Sequence, residues 1–254
     1  MNELWKNTYK SIVKISHLKD NRVVASGTGF IIEGKLITNN HVSYSQNTEI
    51  VHLSTVKENG YEEGVKFEMG YNDFHSKLID ASPQEDWDYS IIDLKDTNLE
   101  KEPSLNLSKA NFDIKIGSQI ALFGYPFSQN NLSIHTGLIS SKNLIANVNY
   151  LQIDASINTG NSGGPVLDKE SGEVIGIVTR KVNGFRDIFN QLKKITGESR
   201  KMLESQGIKI VKGQVSLGSN QLILANLMDD LERSANVGIG YAFDLFEVRK
   251  HFEI

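Results

Sequence analysis

The chain contains no cysteine, only four prolines among its 254 residues, and no apolar run of the roughly 18 residues that a membrane span needs. Without thiols there is no disulfide framework, no thiolate nucleophile and no thiolate metal site, and the composition suits a reducing compartment. The opening stretch MNELWKNTYKSIVKISHLKD lacks the apolar core of a secretion signal, so a cytoplasmic location without membrane contact is the expectation. Basic excess is missing too. Lys and Arg number 27 against 31 Asp and Glu, a net charge of −4, which removes the electrostatic footprint of a nucleic-acid partner. What remains is ordinary for a soluble globular chain, with 39% hydrophobic residues and 21 glycines. The length allows one or two domains with a real core.

Between about residue 10 and 105 the apolar residues come in short β-branched runs: SIVKI, GTGFIIEG, KLITN, EIVHLS, VKFEM and YSIIDL. Their strand length and close spacing, separated by Gly, Asn, Asp and Ser, predict a barrel or sandwich rather than βαβ units. The polar stretch from 95 to 113 reads as a linker between two halves. SQIALFGYP, SIHTGLISS, YLQIDASI, GPVLDKESGEVIGIVTR and GIGYAFDL then form a second strand set. Between Val182 and Val237 the pattern changes: Phe185, Ile188, Phe189, Leu192, Ile195, Met202 and Leu203 recur at helical steps. A helical insertion over 183–236 is therefore expected within an otherwise all-β chain.

The strongest chemical signal is Gly160-Asn161-Ser162-Gly163-Gly164-Pro165. A serine between glycines sits where the backbone can turn tightly, expose the hydroxyl and aim neighbouring N–H groups at one point. Gly160 and Ser162 are the expected donors to an oxyanion. A serine hydroxyl is a weak nucleophile, so this reading requires a base and a group that orients it. His41 closes the strand-like GKLITNNHV and is the candidate base. Asp88, at the start of an apolar run in EDWDYSIIDL, is the candidate orienter, with Asp86 and Asp93 as competitors. His75 near Asp73 has no further ligands at metal spacing, and SGTGF lacks the spacing of a phosphate loop. No cofactor and no metal are expected.

Taken in order, SGTGFII with ITNNHV, DWDYSIIDL, QIDASINTGNSGGPVLDKESGEVIGIVTR and VGIGYAF resemble the chymotrypsin-fold serine peptidases, most closely their bacterial Deg/HtrA-type branch. The resemblance covers about residues 10–182 and 237–250. It implies two six-stranded antiparallel barrels packed face to face, with boundaries here at 1–105 and 106–254, the second interrupted by the insertion. It implies His41 as general base, Asp88 as its orienter and Ser162 as nucleophile, with Gly160, Asn161 and Ser162 forming the oxyanion hole. Ser156, Ile157, Val178, Thr179, Arg180, Lys181 and Gly240 are expected around the pocket for the residue preceding the cleaved bond, and the Thr179 hydroxyl is expected to support Asp88. No carboxylate lies at the base of that pocket, so small or medium apolar residues are the expected specificity. The expected substrate is a protein or peptide; the rival expectation is a catalytically silent module that binds a partner.

Four features bear on how far that pattern carries over. Thr159 stands where Deg-type enzymes have proline, removing a φ restraint beside Gly160. No PDZ module is expected after the last barrel element. Asn161 stands where the secreted digestive branch has an aspartate that pairs with a newly cut N-terminus, so activation by such a cut is not expected. The insertion lies between two strands that flank the pocket and is the expected docking surface for a protein regulator, or a lid.

Overall fold

A computed structural model describes residues 2–84, 86–109, 114–145, 147–181 and 239–252, together with 194, 195, 197, 198, 201 and 202. Residues 1–181 with 238–254 form one compact unit and 182–237 another. The insertion expected over 183–236 lies outside the described residues apart from those six positions.

A short helix α1 (Asn2–Thr8) and a 3-10 turn (Tyr9–Ser11) lead into β1 (Ile12–Lys19), β2 (Arg22–Ile32) and β3 (Lys35–Thr38). A one-turn helix α2 (Asn40–Ser43) follows, then β4 (Ile50–Val56), β5 (Glu63–Gly70), α3 (Tyr71–Ser76), β6 (Leu78–Ser82) and β7 (Tyr89–Asp93). These strands form one antiparallel sheet in the order β5-β4-β1-β2-β3-β7-β6. The second set comprises β8 (Gln119–Gly124), β9 (Ser133–Ile145), β10 (Val148–Asp154), β11 (Pro165–Asp168), β12 (Val174–Lys181) and β13 (Ile239–Asp244), closed into a six-stranded barrel in the order β10-β13-β12-β11-β8-β9. A one-turn helix α4 (Phe246–Arg249) ends the described chain.

The second half thus has the expected six-stranded closed barrel, whereas the first half is a seven-stranded sheet that ends at β5 and β6. The additional strand is β6, whose sequence LIDAS is part-exposed throughout and carries no alternation to announce it. The stretch expected as a linker is also more than a connection. Leu99 is fully buried in the core of the first sheet, and Leu105 and Leu107 pack into the central cluster with Phe123, Leu167 and Ile177. Leu107 even makes a parallel bridge to Val174 of β12.

Both faces of the first sheet are covered, which is why β1 reads as six consecutive buried residues. Val13 and Ile15 point into a cluster with Leu36, Leu53 and Phe74. On the opposite face, the cross-strand pair Ile12 and Phe30 joins the central cluster together with Tyr125 at the end of β8. The next pair along that face is Lys14 and Thr28, and then Ser16 and Ser26. A face that starts apolar and becomes polar is thereby turned toward the connections of the barrel.

Candidate active site

His41 is the second residue of α2. The turn is defined by Asn39, whose backbone carbonyl accepts the N–H groups of Val42 (3.1 Å) and Ser43 (3.0 Å). The Asn39 side chain is fully buried and donates from Nδ2 to the Asp88 carbonyl at 2.8 Å, so the segment that carries the histidine grips the backbone of the aspartate. Behind α2, the buried His17 of β1 donates from Nε2 to the Val42 carbonyl at 2.7 Å, satisfying one of the orphan carbonyls at the end of that turn. Burial depresses the pKa of His17, and the bond to the Val42 carbonyl opposes that shift.

Asp88 precedes β7 in a left-handed conformation (φ 43°) and is completely buried. Its Oδ1 accepts the His41 backbone N–H at 3.1 Å, and its Oδ2 accepts from His41 Nδ1 at 2.7 Å and from Thr179 Oγ1 at 3.1 Å. With the carboxylate accepting from Nδ1, the network assigns the His41 proton to Nδ1 and leaves the Nε2 lone pair free. The competing carboxylates are placed elsewhere. Asp86 is exposed, and Asp93, at the far end of β7, accepts the Lys95 N–H.

Ser162 is bound to the same group through Thr179: its Oγ donates to the Thr179 carbonyl at 3.2 Å. Thr179 lies at an irregularity in the β12–β13 ladder between Val178 and Arg180, which withdraws it from regular pairing. One residue therefore holds the aspartate with its hydroxyl and the serine with its carbonyl. In this arrangement no hydrogen bond joins Ser162 Oγ to His41.

The backbone around Ser162 is organised peptide by peptide. In a trans peptide the C=O and the N–H of the next residue point in opposite directions, so fixing one aims the other. The Thr159 carbonyl accepts the Phe127 N–H at 2.6 Å, which turns the Gly160 N–H away from that loop. The Asn161 carbonyl accepts the Gly164 N–H at 3.0 Å, which does the same for the Ser162 N–H. Among the described residues, the N–H groups of Gly160 and Ser162 have no acceptor. The Asn161 N–H is instead committed to the Asn158 carbonyl at 3.0 Å, so Asn161 does not supply a third oxyanion donor. Its fully buried side-chain amide has no protein partner among the described residues. Gly160 (φ 98°) has to be glycine, since a Cβ there would lie 2.2 Å from the Tyr125 carbonyl oxygen.

Thr28 carries no role in the sequence reading, yet it sits at the centre of this arrangement. Its N–H donates to the Ser162 carbonyl at 3.0 Å, its Oγ1 donates to the Gly160 carbonyl at 2.6 Å and accepts the Tyr125 N–H at 3.1 Å. The Thr38 hydroxyl in turn holds the Thr28 carbonyl at 2.6 Å. Its position between two glycines in SGTGF was the available signal, because flanking residues without side chains mark a place where other backbone comes close.

Of the residues expected around the specificity pocket, Ile157 and Val178 lie buried in one cluster with Ile153 and Ala242. Gly240 is packed directly against Ile157: a Cβ at Gly240 would fall 2.0 Å from Ile157 Cδ1. Ser156 is exposed. The side chains of Arg180 and Lys181 lie outside the described residues, although their backbone pairs with Tyr241 and Gly240 of β13.

Comparison with known proteins places the chain in a family. A family model described as a trypsin-like peptidase domain matches residues 27–177. Serine protease HTRA4 of Mus musculus is 30% identical over 228 residues, covering 82% of this chain and 41% of that protein. Serine protease HTRA1A of Danio rerio is 34% identical over 179 residues, covering 66% of this chain and 33% of that protein. The chain thus spans less than half the length of these curated relatives. Among solved structures, the active form of a protease from M. tuberculosis matches with a TM-score of 0.55 at 23% identity, over 71% of this chain and 74% of that one. Deg5 matches with a TM-score of 0.54 at 24% identity, over 70% of this chain and 83% of that one. These likenesses show a mostly β, chymotrypsin-like fold.

Proposed function

We propose, from the premise that the chain belongs to the trypsin-like peptidase family and is a serine protease of HtrA type, that it cleaves peptide bonds by acyl transfer through Ser162, His41 and Asp88. The observation that carries this reading is the carboxylate of Asp88 engaging both the backbone N–H and Nδ1 of His41. That double contact fixes the orientation and the tautomer of the ring, leaving Nε2 as the base.

In the reaction, the Ser162 hydroxyl turns from the Thr179 carbonyl to His41 Nε2. As its oxygen attacks the substrate carbonyl carbon, its proton passes to Nε2, and the negative charge gathers on the former carbonyl oxygen. The N–H groups of Gly160 and Ser162 face that oxygen. Donors held in place before the charge develops need no reorganisation, and losing one costs on the order of 10²–10³ in rate. Collapse of the tetrahedral intermediate transfers the proton from Nε2 to the leaving amine and leaves an acyl-enzyme on Ser162. Water, deprotonated by the same nitrogen, then releases the acid and restores the hydroxyl. Asp88 remains ionised throughout and stabilises the imidazolium.

Small or medium apolar side chains are the proposed preference before the scissile bond, because none of Ser156, Ile157, Val178, Thr179 and Gly240 carries a carboxylate to meet a buried cation. The second part of the proposal concerns 183–236. This segment joins the paired strands β12 and β13, so a protein regulator bound to it would act on the strand that contains Thr179. Replacing 183–236 by a short Gly/Ser loop is expected to change the labelling rate or partner binding; an enzyme unaltered in both removes this part.

The main test is covalent labelling by a fluorophosphonate probe, which reports an activated serine without knowledge of the substrate. Wild-type protein is expected to react, and Ser162→Ala and His41→Ala are not. Folded wild-type protein as unreactive as Ser162→Ala would overturn the reading in favour of a silent module.

A further inference from the structure

Lys14 is a lysine in the interior of the first sheet. It lies in β1 opposite Thr28 and is only 7% exposed. Its ammonium crosses to the other strand set, donating to the Ser128 carbonyl at 3.1 Å and to Asn130 Oδ1 at 2.7 Å. Burial depresses its pKa, with the charge of Glu63 opposing the shift, so the position is an expensive one for a cation that merely fills space.

The segment it holds is strained. Phe127 and Ser128 are consecutive non-glycine residues at φ 56° and 60°, a left-handed region that is unfavourable for an L-residue. Phe127 is also exposed, so packing does not hold it there. The segment's contacts are polar: the two from Lys14, one from Ser26 Oγ to Ser128 Oγ at 2.8 Å, and the turn's own bond from the Gln129 N–H to the Pro126 carbonyl at 3.1 Å. The strained conformation has one visible consequence, which is that the Phe127 N–H meets the Thr159 carbonyl at 2.6 Å. That carbonyl belongs to the same peptide plane as the Gly160 N–H. Because Gly160 is glycine, its φ is not confined by a Cβ, and the hydrogen bond to the Thr159 carbonyl is what fixes the plane.

We infer that Lys14 is a positioning residue for the oxyanion site. Its ammonium holds the 126–130 segment in the left-handed form that ties down the Thr159 carbonyl and so aims the Gly160 N–H at the developing oxyanion. The inference rests on the peptidase reading and deepens it, adding a side chain from the first sheet that acts on the oxyanion loop without touching substrate.

The test uses Lys14→Met and Asn130→Ala in the full chain, with two readouts. The first is the second-order rate of fluorophosphonate labelling. The second is the ratio of acylation rates for a p-nitrophenyl ester and its thionoester analogue, whose C=S oxygen replacement accepts poorly from an oxyanion hole. Lys14→Met is expected to label about tenfold more slowly, a part of the loss seen when a donor is removed outright. Its oxo-to-thiono ratio is expected to fall toward one. Asn130→Ala, which keeps the Ser128 acceptor, is expected to show the same change to a smaller degree, and the double variant to be no worse than Lys14→Met alone. A folded Lys14→Met with wild-type labelling and ratio overturns the inference, as does an equal drop in both ester rates with the ratio unchanged, which marks a purely structural role. If Lys14→Met does not fold, Asn130→Ala decides by the same ratio. Wild-type protein that fails to react beside Ser162→Ala overturns the peptidase reading itself and this inference with it.

Discussion

Replacing Thr28 by valine isolates one hydroxyl. The two side chains have nearly the same shape, but the hydroxyl donates to the Gly160 carbonyl at 2.6 Å and accepts the Tyr125 N–H at 3.1 Å, at a residue with no exposed surface. Valine leaves both backbone groups without a partner, and each such group costs about 1–3 kcal/mol when water cannot replace it. The expected loss is thus about 2–6 kcal/mol against a typical total of 5–15. A methyl group also cannot stay where an oxygen lay 2.6 Å from a carbonyl, so the Gly160 carbonyl has to move, and the oxyanion loop with it. Thr28→Ser keeps the hydroxyl and removes only a methyl, worth about 0.8 kcal/mol. Urea unfolding followed by the fluorescence of the two tryptophans gives stability, and fluorophosphonate labelling of the folded protein gives reactivity. The valine variant is expected to lose in both, with labelling at least tenfold slower, and the serine variant to lie close to wild type in both. A valine variant within about 0.5 kcal/mol of wild type and labelled at the wild-type rate would refute the argument that the hydroxyl holds the loop.

Further expectations follow from the same contacts. Asp88→Asn places an amide NH₂ against either the His41 N–H or Nδ1, and turning it toward Nδ1 costs less because the Thr179 hydroxyl can reorient; the ring then adopts the wrong tautomer, and labelling is expected to fall about 10⁴-fold at nearly unchanged melting temperature, whereas retained labelling would exclude Asp88 as orienter. Burial depresses the pKa of His17, His75 and His135, so below the ordinary imidazole value the unfolded chain binds more protons than the folded one. Stability is therefore expected in full above that value and to decline as pH falls through it, with a shallower decline in His17→Gln; a urea midpoint flat between about pH 7 and 5 would contradict this. Gly240→Ala sets a methyl 2.0 Å from Ile157 Cδ1, and because that is the end of a flexible side chain the strand should persist while the Ile157 side chain is displaced. A peptide library varied at the residue before the cleaved bond is expected to change its preference, and an unchanged profile would remove Ile157 and Gly240 from the pocket.

The strands whose side chains face a core on one or both sides were legible, because burial writes itself into sequence as runs of β-branched residues such as FII and YSIID. Elements at the margins were not. The strand β6 lies at a sheet edge and is part-exposed along its length, and α1 places only Leu4 and Trp5 against the core within seven residues. Leu99, Leu105 and Leu107 are buried from a polar, irregular stretch, and without a repeating backbone geometry their spacing has no period to detect.

The site divides along a different line. Ser162 and His41 stand out in the sequence because their chemistry demands particular residue types in a motif, whereas Asp88 is separated from Asp86 and Asp93 only by the family resemblance. The residues that aim them do not stand out. Thr28, Asn39, His17 and Lys14 all act on backbone groups 25 to 132 positions away: the Gly160, Asp88, Val42 and Ser128 carbonyls. A carbonyl is the same whatever residue carries it, so the acceptor leaves no mark in the sequence, and the donor looks like any polar residue on a strand. The oxyanion loop makes this concrete. Its two free N–H groups are aimed by what happens to the Thr159 and Asn161 carbonyls, and one of those carbonyls is held by a segment whose own shape depends on a lysine from the other sheet. A motif can therefore be complete in the sequence while its reactivity is decided by contacts that only the fold assembles, which is why Ser162, His41 and Asp88 are better tested together with Thr28 and Lys14 than alone.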